Sequence, residues 1–158
     1  RGLVDADAVE AWRSADGSGE AARMSVEALA SLPLQDARSR AWESVYSESL
    51  SNDFLTATLA GLNASSWDGD SGIEGAVDQL RSYWESHTIG MSLRYANGVL
   101  AYGLDIDRDG SVEHSVGLLR GWLDANGDAP AQLRRIVVEH LDAFERDERV
   151  QRRWKQDQ

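Results

Sequence analysis

Apolar residues recur along this chain at three- and four-residue spacing, while the strict alternation of a half-buried strand is hard to find anywhere. The strongest stripe is Leu133, Ile136, Val137, Leu141 and Phe144. Its solvent side carries Arg135–Glu139, Asp142–Arg146, Glu145–Arg149 and Glu148–Arg152 at i,i+4, the spacing that sets opposite charges one turn apart. This predicts a long amphipathic helix from about Pro130 onward, with the proline in a first turn where its missing N–H costs nothing. Ile73, Val77, Leu80 and Trp84 predict one earlier helix, Ile89, Leu93, Ala96, Leu100 and Leu104 the next, and Val112, Val116, Leu119 and Leu123 a third. Tyr95, Val99 and Tyr102 lie off the main stripe of the second, which predicts a central helix covered on two sides. The N-terminal third adds Val9 with Trp12, the segment from Ala21 to Leu32, then Ala37, Ala41, Trp42 and Val45, and last Leu55, Thr58, Leu59 and Leu62.

The helix starts carry chemical markers as well. Pro33 and Pro130 stand where helices begin. Asp5 and Ser51 read as N-caps, each with a hydrophobic staple (Val4–Val9 and Leu50–Leu55), and Ser71 with Glu74 reads as a capping box. The links between segments are short and polar, as at Asp16-Gly17-Ser18-Gly19 and Asn126-Gly127-Asp128, and short links set neighbouring helices antiparallel. The expected fold is all-α: about eight antiparallel helices stacked as a HEAT- or armadillo-like superhelix, with a plain bundle as the alternative. No strict period of about 40–47 residues appears, so any repeat is degenerate. Residues 1–158 read as a single helical-repeat domain, and the start at Arg1 rather than Met suggests the C-terminal fragment of a longer chain.

Composition narrows the function classes. The 158 residues include 27 acids against 16 basic residues, a formal charge of −11 that would repel a phosphate backbone, so no nucleic-acid partner is expected. The basic cluster Arg149, Arg152, Arg153 and Lys155 reads as a solvated helix end. The absence of cysteine removes disulfides, Cys-based zinc sites and thiol nucleophiles together. No apolar run approaches the roughly 20 residues of a membrane span, and no secretory h-region precedes Asp5, so a cytoplasmic protein without a membrane partner is expected.

The search for chemistry finds no catalytic constellation. His87, His114 and His140 are too far apart in sequence for a His-Glu-x-x-His zinc helix. His140 at the edge of the last stripe and His87 at the end of the 73–84 stripe read as satisfied core or boundary histidines. There is no Gly-x-Ser-x-Gly elbow and no phosphate-binding glycine loop. One motif is sharper: Asp105, Asp107 and Asp109 before Gly110 begin like a calcium loop, with oxygen ligands at every second residue. The twelfth loop position, where such a loop needs a bidentate Glu, is Val116, and the competing reading is an acidic turn. Of the six tryptophans, Trp12, Trp42, Trp84 and Trp122 fall on or beside apolar stripes as interhelical filling, whereas Trp67 and Trp154 are expected to be exposed.

Two runs resemble a known family. Leu50-Ser51-Asn52-Asp53-Phe54-Leu55-Thr56-Ala57-Thr58-Leu59-Ala60-Gly61, and Gln132-Leu133-Arg134-Arg135-Ile136-Val137-Val138-Glu139 followed by Asp142 and Glu145-Arg146, resemble segments of the C-terminal helical domain of bacterial aminopeptidase N, in the zinc gluzincin aminopeptidase family. Tyr83-Trp84 with Arg94, and Pro33 before the helix bearing Ala41-Trp42, fit the same pattern. The similarity runs from about residue 3 to 153 and departs at Asp105 to Gly110 and between residues 63 and 72.

The resemblance implies a HEAT-like superhelix that encloses the peptide chamber of an upstream catalytic domain. In that family zinc belongs to the upstream domain, so no cofactor is expected in this segment and no catalytic residue carries over. Its expected partners are that catalytic domain of the same chain and the peptide substrate, which it limits and positions. Arg94, Arg134 and Arg135 are candidates for contacts with carboxylates of a peptide or of the catalytic domain, against the plainer reading that they pair with neighbouring acids. The alternatives are a free-standing helical-repeat scaffold that binds a partner protein and, resting on the Asp105 loop alone, a calcium-binding helical module.

Overall fold

In the computed structural model, which describes residues 5–47, 50–64, 72–102 and 112–156, the protein is all-α, with no strand among the described residues. The helices are α1 (Ala6–Ala15), α2 (Gly19–Ala30), α3 (Gln35–Val45), α4 (Asn52–Ala64), α5 (Ile73–Asp78), α6 (Leu80–Ser86), α7 (Ile89–Tyr102), α8 (Glu113–Ala125) and α9 (Ala131–Gln156). They gather into two compact units, one within residues 1–71 and one within residues 72–158. No described helix is long and apolar enough to cross a membrane.

Local chemistry sets the helix starts. The Asp5 carboxylate accepts from the Ala8 amide at 2.8 Å and the Ser51 hydroxyl from Phe54 at 3.3 Å, as the sequence predicts. Ser18 caps α2 and Thr88 caps α7 in the same manner, accepting from Ala21 at 3.1 Å and Met91 at 3.4 Å. The Val4 half of one staple and the Ser71 half of the capping box lie outside the described residues. Helix α5 instead begins at Gly72, whose φ of 73° is a left-handed conformation suited to glycine, and the Glu74 carboxylate lies 3.0 Å from His114 Nε2.

The single helix expected over 73–84 is two. Gln79 separates α5 from α6, yet Gln79 N–H still bonds Gly75 O at 3.1 Å and Tyr83 N–H bonds Gln79 O at 2.9 Å, so backbone bonding continues through the break. The Gln79 backbone, at φ −81° and ψ −6°, departs from the regular helix here, and the Ser82 hydroxyl shares its proton between the Gln79 carbonyl at 3.1 Å and the Gln79 side-chain oxygen at 2.7 Å.

In the first unit the central contact is between α2 and α4. The α2 face is made of small residues, Ala21, Ser25 and Ala30, against Leu55, Ala57, Thr58, Leu59 and Leu62 of α4. Gly61 allows this approach: a Cβ there would sit 2.2 Å from the Glu27 carbonyl oxygen and 2.7 Å from the Ala30 Cβ. Helix α1 packs on α2 through Val9, and α3 contributes Ala37, Ala41 and fully buried Val45. Arg38, 7% exposed, donates to the Leu62 carbonyl at 3.2 Å and so satisfies the end of α4.

In the second unit α7 is the central helix, touching α5, α6 and α9. Its two expected faces are buried at Ala96 and Leu100 on one and Tyr95 and Val99 on the other, whereas Leu93 is half-buried and Ile89, at the start of the first stripe, is exposed; Leu104 and the Tyr102 side chain lie outside the described residues. The Tyr95 hydroxyl donates to the Ala76 carbonyl at 2.8 Å. Its ring stacks on Tyr83 at 3.9 Å, and Tyr83 stacks on His87 at 3.8 Å. Against this core lie Val116, Leu119 and Trp122 of α8 and Leu133, Val137 and Leu141 of α9. The 26 residues of α9 extend about 39 Å. Its burial ends near Leu141, leaving Val150 and Trp154 exposed at 58% and 69%.

Two stability predictions follow from these contacts. Gly61→Ala forces a methyl into backbone and should cost about 1–3 kcal/mol in chemical denaturation; an unchanged midpoint contradicts the close crossing. His140, half-buried on α9, has its pKa held below the ordinary 6.5 by desolvation, opposed by the neighbouring Glu139 carboxylate. The unfolded chain therefore binds this proton more readily, so stability should fall as pH drops through about 6.5 toward the lower folded value. His140→Gln should flatten that part of the profile, and an unchanged slope contradicts the assignment.

Candidate functional site

The three arginines singled out in the sequence are engaged within the second unit. Arg134 donates from Nη1 to the Leu123 carbonyl at 3.1 Å and the Asn126 carbonyl at 2.6 Å, closing the C-terminal end of α8. Arg94 is exposed and donates to Gly90 O of its own helix at 3.1 Å. Exposed Arg135 pairs with Glu139 at 2.7 Å, the i,i+4 pair expected from the sequence. Arg134 and Arg135 are consecutive, yet one holds two helices together and the other faces solvent. Asp105, Asp107 and Asp109 lie outside the described residues, as do Trp67 and Lys155's side chain. Among the described residues no three His, Asp or Glu side chains are placed to share a metal ion.

The histidines and tryptophans follow the sequence reading in part. His87 Nδ1 lies 2.9 Å from the Ser86 hydroxyl and 3.2 Å from the Tyr83 carbonyl, while its buried Nε2, like the Trp122 indole N–H, has no hydrogen-bond partner among the described residues. Trp122 is buried and Trp154 exposed as expected, but Trp12 on α1 is 42% exposed rather than interior filling. Trp42 stacks on Tyr46 at 6.2 Å.

Longer-range charge pairs escaped sequence reasoning. Arg81 of α6 grips Asp128, in the turn before α9, with two bonds of 2.8 and 3.2 Å and also holds Glu85 at 2.9 Å. The guanidinium, helped by a backbone bond, holds the Asp128 carboxyl below its usual range, and the two acids raise Arg81 in turn. Arg120 of α8 meets Glu145 of α9 at 2.7 Å. No i,i+4 rule reaches such partners.

Two surface features have the shape of recognition sites. The first is an apolar groove of about 240 Å³ in the first unit, lined by Val26 and Leu29 of α2, Ala41 and Ser44 of α3, Thr58 of α4, and Arg40. It exists because α2 and α4 are pinned at Gly61 while α3 presents Ala37, Ala41 and Ser44 here, side chains too short to fill the space, with the longer Arg40 beside them. That run of small residues at i, i+4 and i+7 is the sequence signal that could have located it. The second is the exposed end of α9, where Val150 and Trp154 lie among Arg146, Arg149, Arg152 and Arg153.

No protein-family model matches the chain, and no curated protein matches it.

Removing Arg134 strands the Leu123 carbonyl at the end of α8 and leaves the Asn126 carbonyl only its bond from the Ala129 N–H, so Arg134→Met should cost about 1–3 kcal/mol. Arg94→Ala and Arg135→Ala should leave the thermal midpoint unchanged, since both face solvent. Equal losses in all three variants would contradict this division of roles.

Proposed function

We propose that the chain is a non-catalytic helical wall, the C-terminal domain of a zinc aminopeptidase, which encloses the active-site chamber and limits and positions peptide substrates. One observation carries the reading: the two runs that resemble the aminopeptidase N family coincide with the segments on which the packing of each unit turns. The first run is α4 and ends at Gly61, the closest approach to α2; the second opens α9 and contains Arg134, which closes α8. Within each unit, helix contacts also support a HEAT-like stack, because α1 touches α2, α3 touches both α2 and α4, α6 touches α5 and α7, and α8 touches α9, while the next-but-one pairs α2–α4, α5–α7 and α7–α9 touch as well. The additional contact of α5 with α8 is a departure toward a bundle. In this role the zinc and the hydrolytic water belong to the upstream domain, and the acidic surface enriches peptides by attracting their free amino termini.

A second reading is a scaffold that binds a partner protein, favoured by the exposed Val150 and Trp154 among the arginines of α9. Under the first reading, the 158 residues alone release no chromophore from an aminoacyl nitroanilide, with or without added zinc. Zinc-dependent turnover would refute it. A reading frame encoding His-Glu-x-x-His and a distant Glu upstream separates the aminopeptidase domain from the scaffold.

A further inference from the structure

The chemistry of the groove between α2, α3 and α4 is unusually one-sided. Its two hydroxyls are already spent on helix carbonyls: Ser44 donates to Ala41 O at 2.8 Å, and Thr58, 1% exposed, donates to Phe54 O at 2.8 Å. The remaining walls are the side chains of Val, Leu and Ala. The groove therefore offers one unspent donor group, the exposed guanidinium of Arg40. That cation is itself uncommon in this chain. Most described arginines face an acid or a carbonyl, as Arg23 does with Glu20 and Arg38 with Leu62, whereas Arg40 and Arg153 have no such partner among the described residues.

A ligand matched to these walls carries an acceptor anion at one end, an apolar body and no donors. A bare phosphate leaves the apolar walls unused, and an amine is repelled by Arg40. At about 30 Å³ per water-sized group, 240 Å³ holds about eight non-hydrogen atoms, below the roughly 300–1,000 Å³ of drug-sized sites. We propose that this groove binds a short-chain aliphatic monocarboxylate of about six carbons, its carboxylate paired with Arg40 and its tail laid on Val26, Leu29 and Ala41. The inference concerns the first unit alone and does not depend on the aminopeptidase reading.

Calorimetric titration of the full chain with sodium hexanoate, hexan-1-ol and hexylamine tests it. Hexanoate should bind saturably with one site, and hexanol and hexylamine at least tenfold more weakly. Arg40→Gln, a solvent-exposed change, should weaken hexanoate tenfold or more without altering hexanol. Ala41→Leu should fill the groove and abolish hexanoate binding; if that variant melts early, Ser44→Leu at the half-buried wall serves in its place. Absence of saturable hexanoate binding, equal binding of hexylamine, or full binding by Arg40→Gln overturns the proposal.

Discussion

The close crossing of α2 and α4 is the constraint on which the first unit depends. Two helices approach this nearly only where side chains almost vanish, and here Gly61 meets the Glu27 carbonyl and Ala30 with no room for a methyl. The gain is dispersion along the facing surfaces of both helices, spread over Ala21, Ser25, Leu55, Ala57 and Leu59. The consequence is a vacancy beside it. With α2 and α4 pinned together, the short side chains of α3 cannot fill the remaining volume, and the apolar groove with Arg40 is what is left. Packing and candidate recognition are thus two results of one distance.

The second unit solves the same problem with large side chains. Tyr95, Tyr83 and His87 form a column of stacked rings, and α7 carries apolar residues on both sides to meet α5, α6 and α9. Each unit nevertheless ends a helix by the same device. Arg38 closes α4 and Arg134 closes α8, a guanidinium set against carbonyls that have no partner within their own helix. A cation at such a place also faces the negative end of the helix dipole, which suits arginine better than a neutral donor.

Much of this was legible in the sequence because it is local. The 3.6-residue period gives the helices, Asp5 and Ser51 give two starts, and the double face of Tyr95 and Ala96 gives the central position of α7. What was not legible depends on partners distant in sequence. Nothing near Gly61 announces Glu27, and nothing near Arg134 announces the carbonyl of Leu123. Arg94, Arg134 and Arg135 looked alike as candidate carboxylate contacts, and only their packing separates a helix clamp from two solvated side chains. The groove was hidden for the same reason: Ala37 and Ala41 on α3 are core residues, and only the placement of α2 and α4 shows the space left beside them.

Native-state hydrogen exchange measures this arrangement most directly, because amide protection reports which contacts must break before a segment opens. The account predicts the slowest exchange in α4 from Leu55 to Leu62 with the facing turns of α2, and in α7 from Tyr95 to Leu100, while α9 beyond Glu148 exchanges early. Exchange across α2 and α4 as fast as at the end of α9 would contradict a unit held by that crossing.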